Sequence, residues 1–276
     1  MNDATNNNDP SAAKSQPHAP RAGGAGVLLT RPRGQTQAAD ERLTDHGFRV
    51  LVQPVIEIGP PRDWRPVDEA IERIDHFDWV VFSSANGVRA FLQRVSERSD
   101  LRRLEDVSLA AIGPSTADAM AEWDRRADLI PESYRAESLA EALIARIRAD
   151  AKRSETRVLL IRASRGREVL AERLRDAGID VHQVVAYSSE DTQAPAEATI
   201  EALGAGEIDW VTVTSSAIAR SLVQLFGERL RTVRLASISP ITSQTLVELG
   251  YPPTVQASEY TLDGLIDAMV AFDRAQ

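Results

Sequence analysis

Val158-Leu-Leu-Ile-Arg162 repeats Val27-Leu-Leu-Thr-Arg31 at a distance of 131 residues along the chain. Asp209-Trp-Val211 repeats Asp78-Trp-Val80 at the same distance. A later match, from Ile112-Gly-Pro-Ser-Thr116 to Ile238-Ser-Pro-Ile-Thr242, has a distance of 126 residues. Chance matches do not keep one spacing across several elements. The sequence therefore predicts an internal duplication with two copies of about 120 residues each, separated in register by one short deletion.

Each copy alternates short apolar runs with segments of helical periodicity. In the first copy, 27–31 predicts a strand and 35–46 predicts a helix, which Gly47 ends in the left-handed conformation as Gly178 does in the second. Ser138 and Glu141 form a capping box that predicts the start of a later helix. The other strands are predicted near 48–58, 78–83 and 107–112, and the other helices near 86–97, 115–124 and 138–149. This alternation predicts an α/β fold with a parallel sheet covered by helices on both faces.

Two predicted strand segments, 48–58 and 179–190, are longer than the others and lie at equivalent places in the repeat. Pro54 interrupts the first segment, which suits a strand that leaves one sheet for another. We therefore expect these two segments to connect two lobes.

Composition excludes several classes of function. The 276 residues include no Cys, so disulfides, thiolate zinc sites and cysteine nucleophiles are excluded, and a reducing cytoplasmic location fits. A net charge of −9 without a basic stretch argues against a nucleic-acid partner. The four His residues lack metal-ligand spacing, and the apolar runs are too short for membrane insertion. Residues 1–26 are expected to form a disordered tail and lack the apolar core of a secretory signal.

Small hydroxyl residues follow four of the predicted strands. Because ligands of open parallel sheets bind beyond the carboxyl ends of the strands, these turns are candidate carboxylate-binding sites. The alternative interpretation is that they are ordinary helix N-caps. The candidate residues in these turns are Ser84, Asn86, Gly87, Ser115, Thr116, Ser215, Ser216 and Thr242.

Arginines and glycines follow the first strand of each copy. Arg31, Arg162 and Arg167, the last beside Gly166, suit bidentate recognition of carboxylate or phosphate groups, although each is also compatible with a surface charge. These turns match neither a Walker A loop nor a GxGxxG fingerprint, so no nucleotide is indicated. Tyr187 lies on the second long segment, where its phenol serves either as a proton or hydrogen-bond donor or as packing.

Taken in order, these motifs resemble the uroporphyrinogen-III synthase family over residues 27–273. The resemblance is carried by Val27-Leu-Leu-Thr-Arg-Pro32, Asp78-Trp-Val-Val-Phe-Ser-Ser-Ala-Asn-Gly87, Ala111-Ile-Gly-Pro114, 162–168, 184–188, Thr212-Val-Thr-Ser-Ser216 and Ser239-Pro-Ile-Thr242. Two positions depart from the family pattern or from the repeat. Ser239 stands where the family more often has glycine, and Ala217-Ile218 stands opposite Asn86-Gly87.

The resemblance implies two Rossmann-like lobes joined by a two-stranded connection. Lobe one would hold 27–52 and 189–276, lobe two 60–183, and the connecting strands would be 53–59 and 184–188. Equivalent turns of both copies would then line a cleft between the lobes. The implied enzyme is a hydro-lyase that closes linear hydroxymethylbilane to uroporphyrinogen III, with inversion of ring D and loss of water. It would act without a metal or an organic cofactor.

The resemblance also assigns roles to residues. Tyr187 would be the acid that assists the leaving hydroxyl, and Ser84, Asn86, Ser215, Ser216 and Thr242 would bind the acetate and propionate arms. The expected partner is thus a small-molecule tetrapyrrole polycarboxylate, bound by a monomer that contacts the preceding pathway enzyme only transiently. The alternative is a non-catalytic two-lobed ligand-binding or regulatory protein of the same fold. A nucleotide-dependent enzyme, the third candidate, lacks its fingerprint.

Overall fold

The computed structural model describes residues 24–149 and 155–275. The predicted tail at 1–26 lies outside these residues except for its last three, and the last of them, Gly26, already belongs to the first strand. The chain divides into two compact units. Unit one consists of Met1–Ile56 with Asp191–Gln276, and unit two of Glu57–Glu190.

Strands and helices alternate along most of the chain. The strands are β1 (Gly26–Leu29), β2 (Arg49–Val52), β3 (Ile56–Gly59), β4 (Trp79–Phe82), β5 (Ser108–Ala111), β6 (Arg157–Ala163), β7 (Asp180–Asp191), β8 (Trp210–Val213), β9 (Arg234–Ser237) and β10 (Val255–Gln256). The helices are α1 (Gln37–Asp45), α2 (Arg65–Glu72), α3 (Ala85–Arg98), α4 (Pro114–Ala121), α5 (Ala136–Ala149), α6 (Val169–Asp176), α7 (Glu197–Gly204), α8 (Ser216–Phe226), α9 (Pro240–Glu248) and α10 (Leu262–Arg274). Short 3₁₀ helices occupy Ile74–His76, Leu101–Leu104 and Gly227–Thr232.

The sheet of unit one has the strand order β10-β9-β8-β1-β2, and these neighbours pair in parallel. One of its faces packs against α1 and α10 through Val27, Leu29 and Trp210, all of which are fully buried. The indole N–H of Trp210 donates to Asp273 at 3.1 Å, so the largest core side chain is also satisfied as a donor.

The second sheet has the strand order β3-β7-β6-β4-β5, with β5, β4, β6 and β7 in parallel register. Helices cover both of its faces. Alternate residues of each strand point to opposite sides, so each strand contributes side chains to both helix layers. On β4, Val80 and Phe82 pack with α2, α3 and α4, whereas Trp79 and Val81 pack with α5 and α6. The α/β fold with parallel sheets that the sequence predicts is therefore present.

Equivalent aspartates fasten the starts of the strands in the two units. Asp78 accepts a hydrogen bond from the backbone N–H of Arg157 at 2.7 Å, and Asp209 accepts one from Gly26 at 2.8 Å. Asp209 lies 131 residues after Asp78, and Arg157 lies 131 residues after Gly26, which is the spacing of the repeat. Both carboxylates satisfy a backbone donor that would otherwise lack a partner at the end of a strand.

The long segments differ from the prediction in detail. Segment 48–58 is two strands, β2 in the first sheet and β3 in the second, broken at Pro54 because proline has no N–H for the ladder. The predicted connecting strands 53–59 and 184–188 overlap β3 and β7. Both β3 and β7 are members of the second sheet, since β7 pairs with β6 from Asp180 as far as Tyr187.

Two local predictions have different outcomes. Gly47 and Gly178 both have a φ of 83°, which confirms that they terminate α1 and α6 in the left-handed region. The capping box at Ser138 is wrong, because α5 begins two residues earlier, at Ala136, and places Ser138 inside its first turn. The helix α2 is absent from the prediction.

Candidate functional site

The candidate site of unit two is built around Tyr187 and Ser84. The Tyr187 hydroxyl lies 2.8 Å from Ser84 Oγ, although the two residues are 103 positions apart in the sequence. Ser84 is the second residue after β4 and the N-cap of α3, where its Oγ accepts the Gly87 N–H at 3.0 Å. One serine oxygen therefore joins the start of a helix to the phenol on β7.

A β-bulge precedes Tyr187. Arg162 of β6 lies opposite Val185, but the next residue, Ala163, lies opposite Tyr187, so Ala186 is an extra residue on β7. Ala186 and Tyr187 are both buried although they are consecutive. Bulges of this kind change the direction in which a strand residue points. Here the bulge accompanies the burial of the Tyr187 ring, which is 7% exposed.

Burial raises the pKa of the Tyr187 phenol above its ordinary value, because the ionised form loses its solvation. The hydrogen bond with Ser84 and the positive charge of Arg165 oppose part of this rise. The phenol is therefore protonated at neutral pH and carries the proton that a donor needs.

The neighbouring residues of the predicted turn have distinct roles. Gly87 is buried, and a Cβ on it would lie 3.7 Å from Cε1 of Tyr187, so Gly87 is part of the packing beneath the ring. Asn86 lies in the first turn of α3 and is partly exposed.

The turn before α4 presents a different surface. Ser115 is exposed, whereas Thr116 is only 2% exposed and points into the core of unit two. Gly113 is the N-cap residue, and a Cβ there would lie 3.1 Å from Cγ of Tyr134. The missing side chain lets the half-exposed Tyr134 ring lie directly against this turn.

The predicted arginines of unit two are engaged by carboxylates of the protein. Arg162 forms an ion pair with Glu168, which Gln183 also contacts, and Arg167 donates to Glu137 at 2.8 Å. Their charges are thus partly neutralised. Gly166 between them is exposed with a φ of 145°.

Unit one repeats the serine caps, and among the described residues no tyrosine hydroxyl is hydrogen-bonded to them. Ser215 is the N-cap of α8 and accepts the Ile218 N–H at 3.1 Å, while Ser216 accepts a hydrogen bond from Thr245 at 2.8 Å. Thr242 is 2% exposed, so its side chain offers almost no surface to a ligand. Arg31 is half-buried and contacts Gln35 at 3.4 Å.

Two functional candidates are missing from the sequence-based set. Ser239 is the N-cap of α9, contacts the Thr242 hydroxyl at 3.1 Å and is more exposed than Thr242. Arg165 donates through its Nε to Ser189 Oγ at 3.2 Å, two residues after Tyr187 on β7. Ser239 has the turn position as a signal, whereas Arg165 has no local signal that separates it from Arg162 and Arg167.

The described residues offer neither a metal centre nor a membrane span. Among residues 24–149 and 155–275, no group of three or more His, Asp or Glu side chains is arranged to hold a metal ion. Within the same ranges, none of the helices has the length and apolar character that a membrane crossing requires.

Comparison with known proteins decides the family. The family described as "Uroporphyrinogen-III synthase HemD" matches residues 37–267. The chain belongs to this family. The uroporphyrinogen-III synthase of Synechococcus elongatus is 36% identical over 261 residues, which cover 91% of this chain and 96% of that relative. The enzyme of Chlorobaculum parvum is 25% identical over 236 residues, or 81% and 89% of the two chains.

Solved structures of the family share the fold. A mutant uroporphyrinogen-III synthase from the extremely thermophilic bacterium Thermus thermophilus aligns with a TM-score of 0.64 at 18% identity, covering 91% of this chain and 98% of the other. The Helicobacter pylori enzyme aligns with a TM-score of 0.58 at 17% identity, covering 90% and 99%. The family match and the Synechococcus relative confirm the family resemblance of the sequence motifs, and these structures show the shared fold.

Proposed function

We propose that this member of the family is an active uroporphyrinogen-III synthase, which closes hydroxymethylbilane to uroporphyrinogen III with inversion of ring D and release of water. The observation that carries the proposal is the protonated, buried Tyr187 held 2.8 Å from the serine that caps α3. A non-catalytic ligand-binding protein of the same fold would keep the turns and this hydrogen bond but would form no type-III product.

Tyr187 is the proposed proton donor. It gives its proton to the hydroxyl of the substrate. The carbon–oxygen bond then breaks, water departs, and the methylene carbon is left with a positive charge. Tyr187 is then a phenolate, and it takes back the proton that the terminal pyrrole carbon releases when the ring finally closes. The net reaction therefore loses one water and leaves the protein unchanged. General acid assistance of this kind contributes about 10²–10⁴-fold to a rate.

The proposed contacts to the substrate carboxylates come from the serine turns. Ser84, Asn86 and Ser115 in unit two, and Ser215 and Ser216 in unit one, are at least partly exposed and lie near helix N-termini. Backbone N–H groups and hydroxyls in such turns bind anions without a net positive protein. Thr116 and Thr242 are left out of the set because they are buried.

The arginine–glycine turns have a smaller part in this proposal. Arg31 stays a candidate, while Arg162 and Arg167 contact the substrate only if a substrate carboxylate replaces Glu168 or Glu137. Gly166 gives this turn its backbone conformation. Positioning the linear substrate, rather than neutralising it, is the main task of the protein.

We also propose that the fold arose by internal duplication and that the copies diverged in chemistry. The paired aspartates Asp78 and Asp209 and the paired caps Ser84 and Ser215 support this. At the position equivalent to Tyr187, 131 residues earlier, the chain has Ile56. Only the second copy therefore supplies the phenol. The cytoplasmic location, the monomeric state and transient contact with the preceding enzyme stay predictions.

The test is to supply freshly generated hydroxymethylbilane and to resolve the product isomers by chromatography. We expect the type-III isomer from the purified protein, and a Tyr187→Phe variant that folds normally but turns over at least about 100-fold more slowly. If only the type-I isomer accumulates, as in the protein-free control, the synthase function is refuted. Unchanged turnover in Tyr187→Phe would refute the acid role alone.

A further inference from the structure

Two tyrosines occupy equivalent places in the two copies of the repeat, and both are exposed. Tyr134 in unit two and Tyr260 in unit one are 126 residues apart, which is the spacing of the later matching motifs. Tyr134 is 51% exposed and Tyr260 is 55% exposed. Core packing therefore does not explain why both copies have an aromatic residue at this place.

The backbone around the two tyrosines is the same as well. Each tyrosine is the central residue of a three-residue turn, in which the Arg135 N–H donates to the Ser133 carbonyl and the Thr261 N–H donates to the Glu259 carbonyl, both at 2.8 Å. A helix begins at the second residue after each tyrosine, α5 in unit two and α10 in unit one. The flanking residues differ between the copies, whereas the exposed aromatic residue is the same.

Both turns lie beyond the carboxyl end of their sheet. Leu129 pairs in parallel with Ala110 of β5, and Val255 of β10 pairs in parallel with Ala236 of β9, again 126 residues later. Because these pairings are parallel, the chain in each unit runs past the carboxyl ends of the strands before it reaches the tyrosine. This is the edge at which open parallel sheets bind their ligands.

In unit two, the Tyr134 ring rests on the turn next to the one that holds the Tyr187 hydroxyl. A Cβ on Gly113 would lie 3.1 Å from Cγ of Tyr134, so the ring contacts the backbone just after β5. The strand β5 pairs in parallel with β4, which Ser84 follows. Neighbouring strands are about 4.7–4.9 Å apart. The Tyr134 ring and the Ser84–Tyr187 hydroxyl pair therefore lie at adjacent strand ends of one sheet.

A linear tetrapyrrole presents two kinds of surface to a protein. Its acetate and propionate arms are anionic, and the serine turns offer them N–H and hydroxyl donors. Its pyrrole rings are flat and electron-rich, and ligand sites hold such rings with apolar and aromatic side chains. Among the described residues, four of the five exposed large apolar or aromatic side chains lie beyond the carboxyl ends of β5 and β9, namely Ile130, Tyr134, Ile241 and Tyr260.

We propose that Tyr134, together with its repeat equivalent Tyr260, binds the substrate by stacking on its pyrrole rings. This inference rests on the proposed function, because it adds a contact to the same substrate. The tyrosine and pyrrole rings meet in an offset or edge-to-face arrangement, which aromatic pairs prefer. The tyrosines thus hold the rings while the serine turns hold the carboxylate arms, and neither tyrosine takes part in the proton transfer.

The direct test measures binding without turnover. Uroporphyrinogen III is titrated anaerobically into the full-length protein and its variants, and the dissociation constant is measured by calorimetry. We expect Tyr134→Ala to raise the dissociation constant about twofold to tenfold, and Tyr134→Phe to leave it unchanged because the ring is kept. Tyr134→Ala combined with Tyr260→Ala should raise it by about the product of the two single effects.

A matched control removes an exposed apolar side chain elsewhere. Val247 is 57% exposed and lies near the end of α9, away from the serine turn at its start, so Val247→Ala should leave the dissociation constant unchanged. Equal affinities of Tyr134→Ala and the parent protein would overturn the proposal. So would a loss of affinity in Tyr134→Phe as large as that in Tyr134→Ala, since the hydroxyl rather than the ring would then be the binding group.

The kinetic test separates ring binding from catalysis. With freshly generated hydroxymethylbilane, we expect Tyr134→Ala to raise KM about twofold to tenfold and to leave kcat unchanged, because contacts made equally before and during the reaction affect binding alone. A lower kcat with unchanged KM would overturn the proposal. Circular dichroism of each variant verifies that it is folded. If the parent protein forms no type-III product, the proposed function fails, while the uroporphyrinogen III titration still decides whether the two tyrosines bind the rings.

Discussion

Replacing Ser84 by alanine should destabilise unit two more than the equivalent change destabilises unit one. Ser84 Oγ makes two hydrogen bonds, one from the Gly87 N–H at 3.0 Å and one with the Tyr187 hydroxyl at 2.8 Å. Ser215 has the equivalent cap, from the Ile218 N–H at 3.1 Å, but its Oγ has no hydrogen bond to a tyrosine in the part of the chain that the structure describes. Ser215→Ala is therefore a matched control for the loss of the cap alone.

The expected magnitudes follow from these contacts. Loss of a serine N-cap costs about 1 kcal/mol of unfolding free energy. Leaving the buried Tyr187 hydroxyl without its partner adds about 1–3 kcal/mol. Ser84→Ala should thus cost about 2–4 kcal/mol and Ser215→Ala about 1 kcal/mol. In a Tyr187→Phe background, Ser84→Ala should cost only the cap, so the double-mutant cycle should give a coupling of about 1–3 kcal/mol.

The assay is urea denaturation followed by tryptophan fluorescence and circular dichroism. Trp64, Trp79 and Trp123 report on unit two and Trp210 on unit one, so differences between the probes reveal whether the units unfold together. Equal losses in Ser84→Ala and Ser215→Ala, or a coupling below about 0.5 kcal/mol, would refute the argument that the serine holds the phenol.

Two other predictions concern the rest of unit two. The hydrogen bonds from Arg94 lower the pKa of Asp68, so this pair stabilises the fold above the unfolded-state value near pH 4 and loses that contribution as the pH falls through the folded-state value. Asp68→Asn should lower the unfolding free energy by about 1 kcal/mol at pH 7. The variant should also lose less stability than the parent protein as the pH falls. Urea titrations at several pH values measure this, and the same dependence of unfolding free energy on pH in both proteins would contradict it. Gly113→Ala should cost about 1 kcal/mol or less, because the half-exposed Tyr134 ring can shift outward. A thermal midpoint lowered by more than about 5 °C would show that the ring is held in place.

The sequence pattern alone predicts most of the fold. The helices expected near 86–97, 115–124 and 138–149 are α3, α4 and α5, and the apolar runs near 78–83 and 107–112 are β4 and β5. These elements follow from local periodicity, which acts over a few residues. The order of motifs along the chain, which no single element carries, identifies the family.

Tertiary structure alone decides which sheet a strand joins and where it bends. Segment 48–58 is apolar over much of its length. In the sequence, Pro54 is the single residue that indicates its division into β2 and β3. The bulge at Ala186 depends on pairing with β6, a partner that lies far away in the sequence. Likewise, α5 begins at Ala136 rather than at the capping box, so a local preference of about 1 kcal/mol does not set its start.

The candidate site divides in the same way. Residue types and their places after the strands predict the serine turns, since parallel strands bring their carboxyl ends to one edge of a sheet. Packing decides which hydroxyls a ligand can reach. Thr116 and Thr242 are buried, whereas Ser84 and Ser215 are helix N-caps. Charge partners depend on side chains that meet only in the folded chain. The sequence therefore determines the elements and the family, whereas the fold decides that Arg162 is paired with Glu168 and that Ser84 lies beside Tyr187.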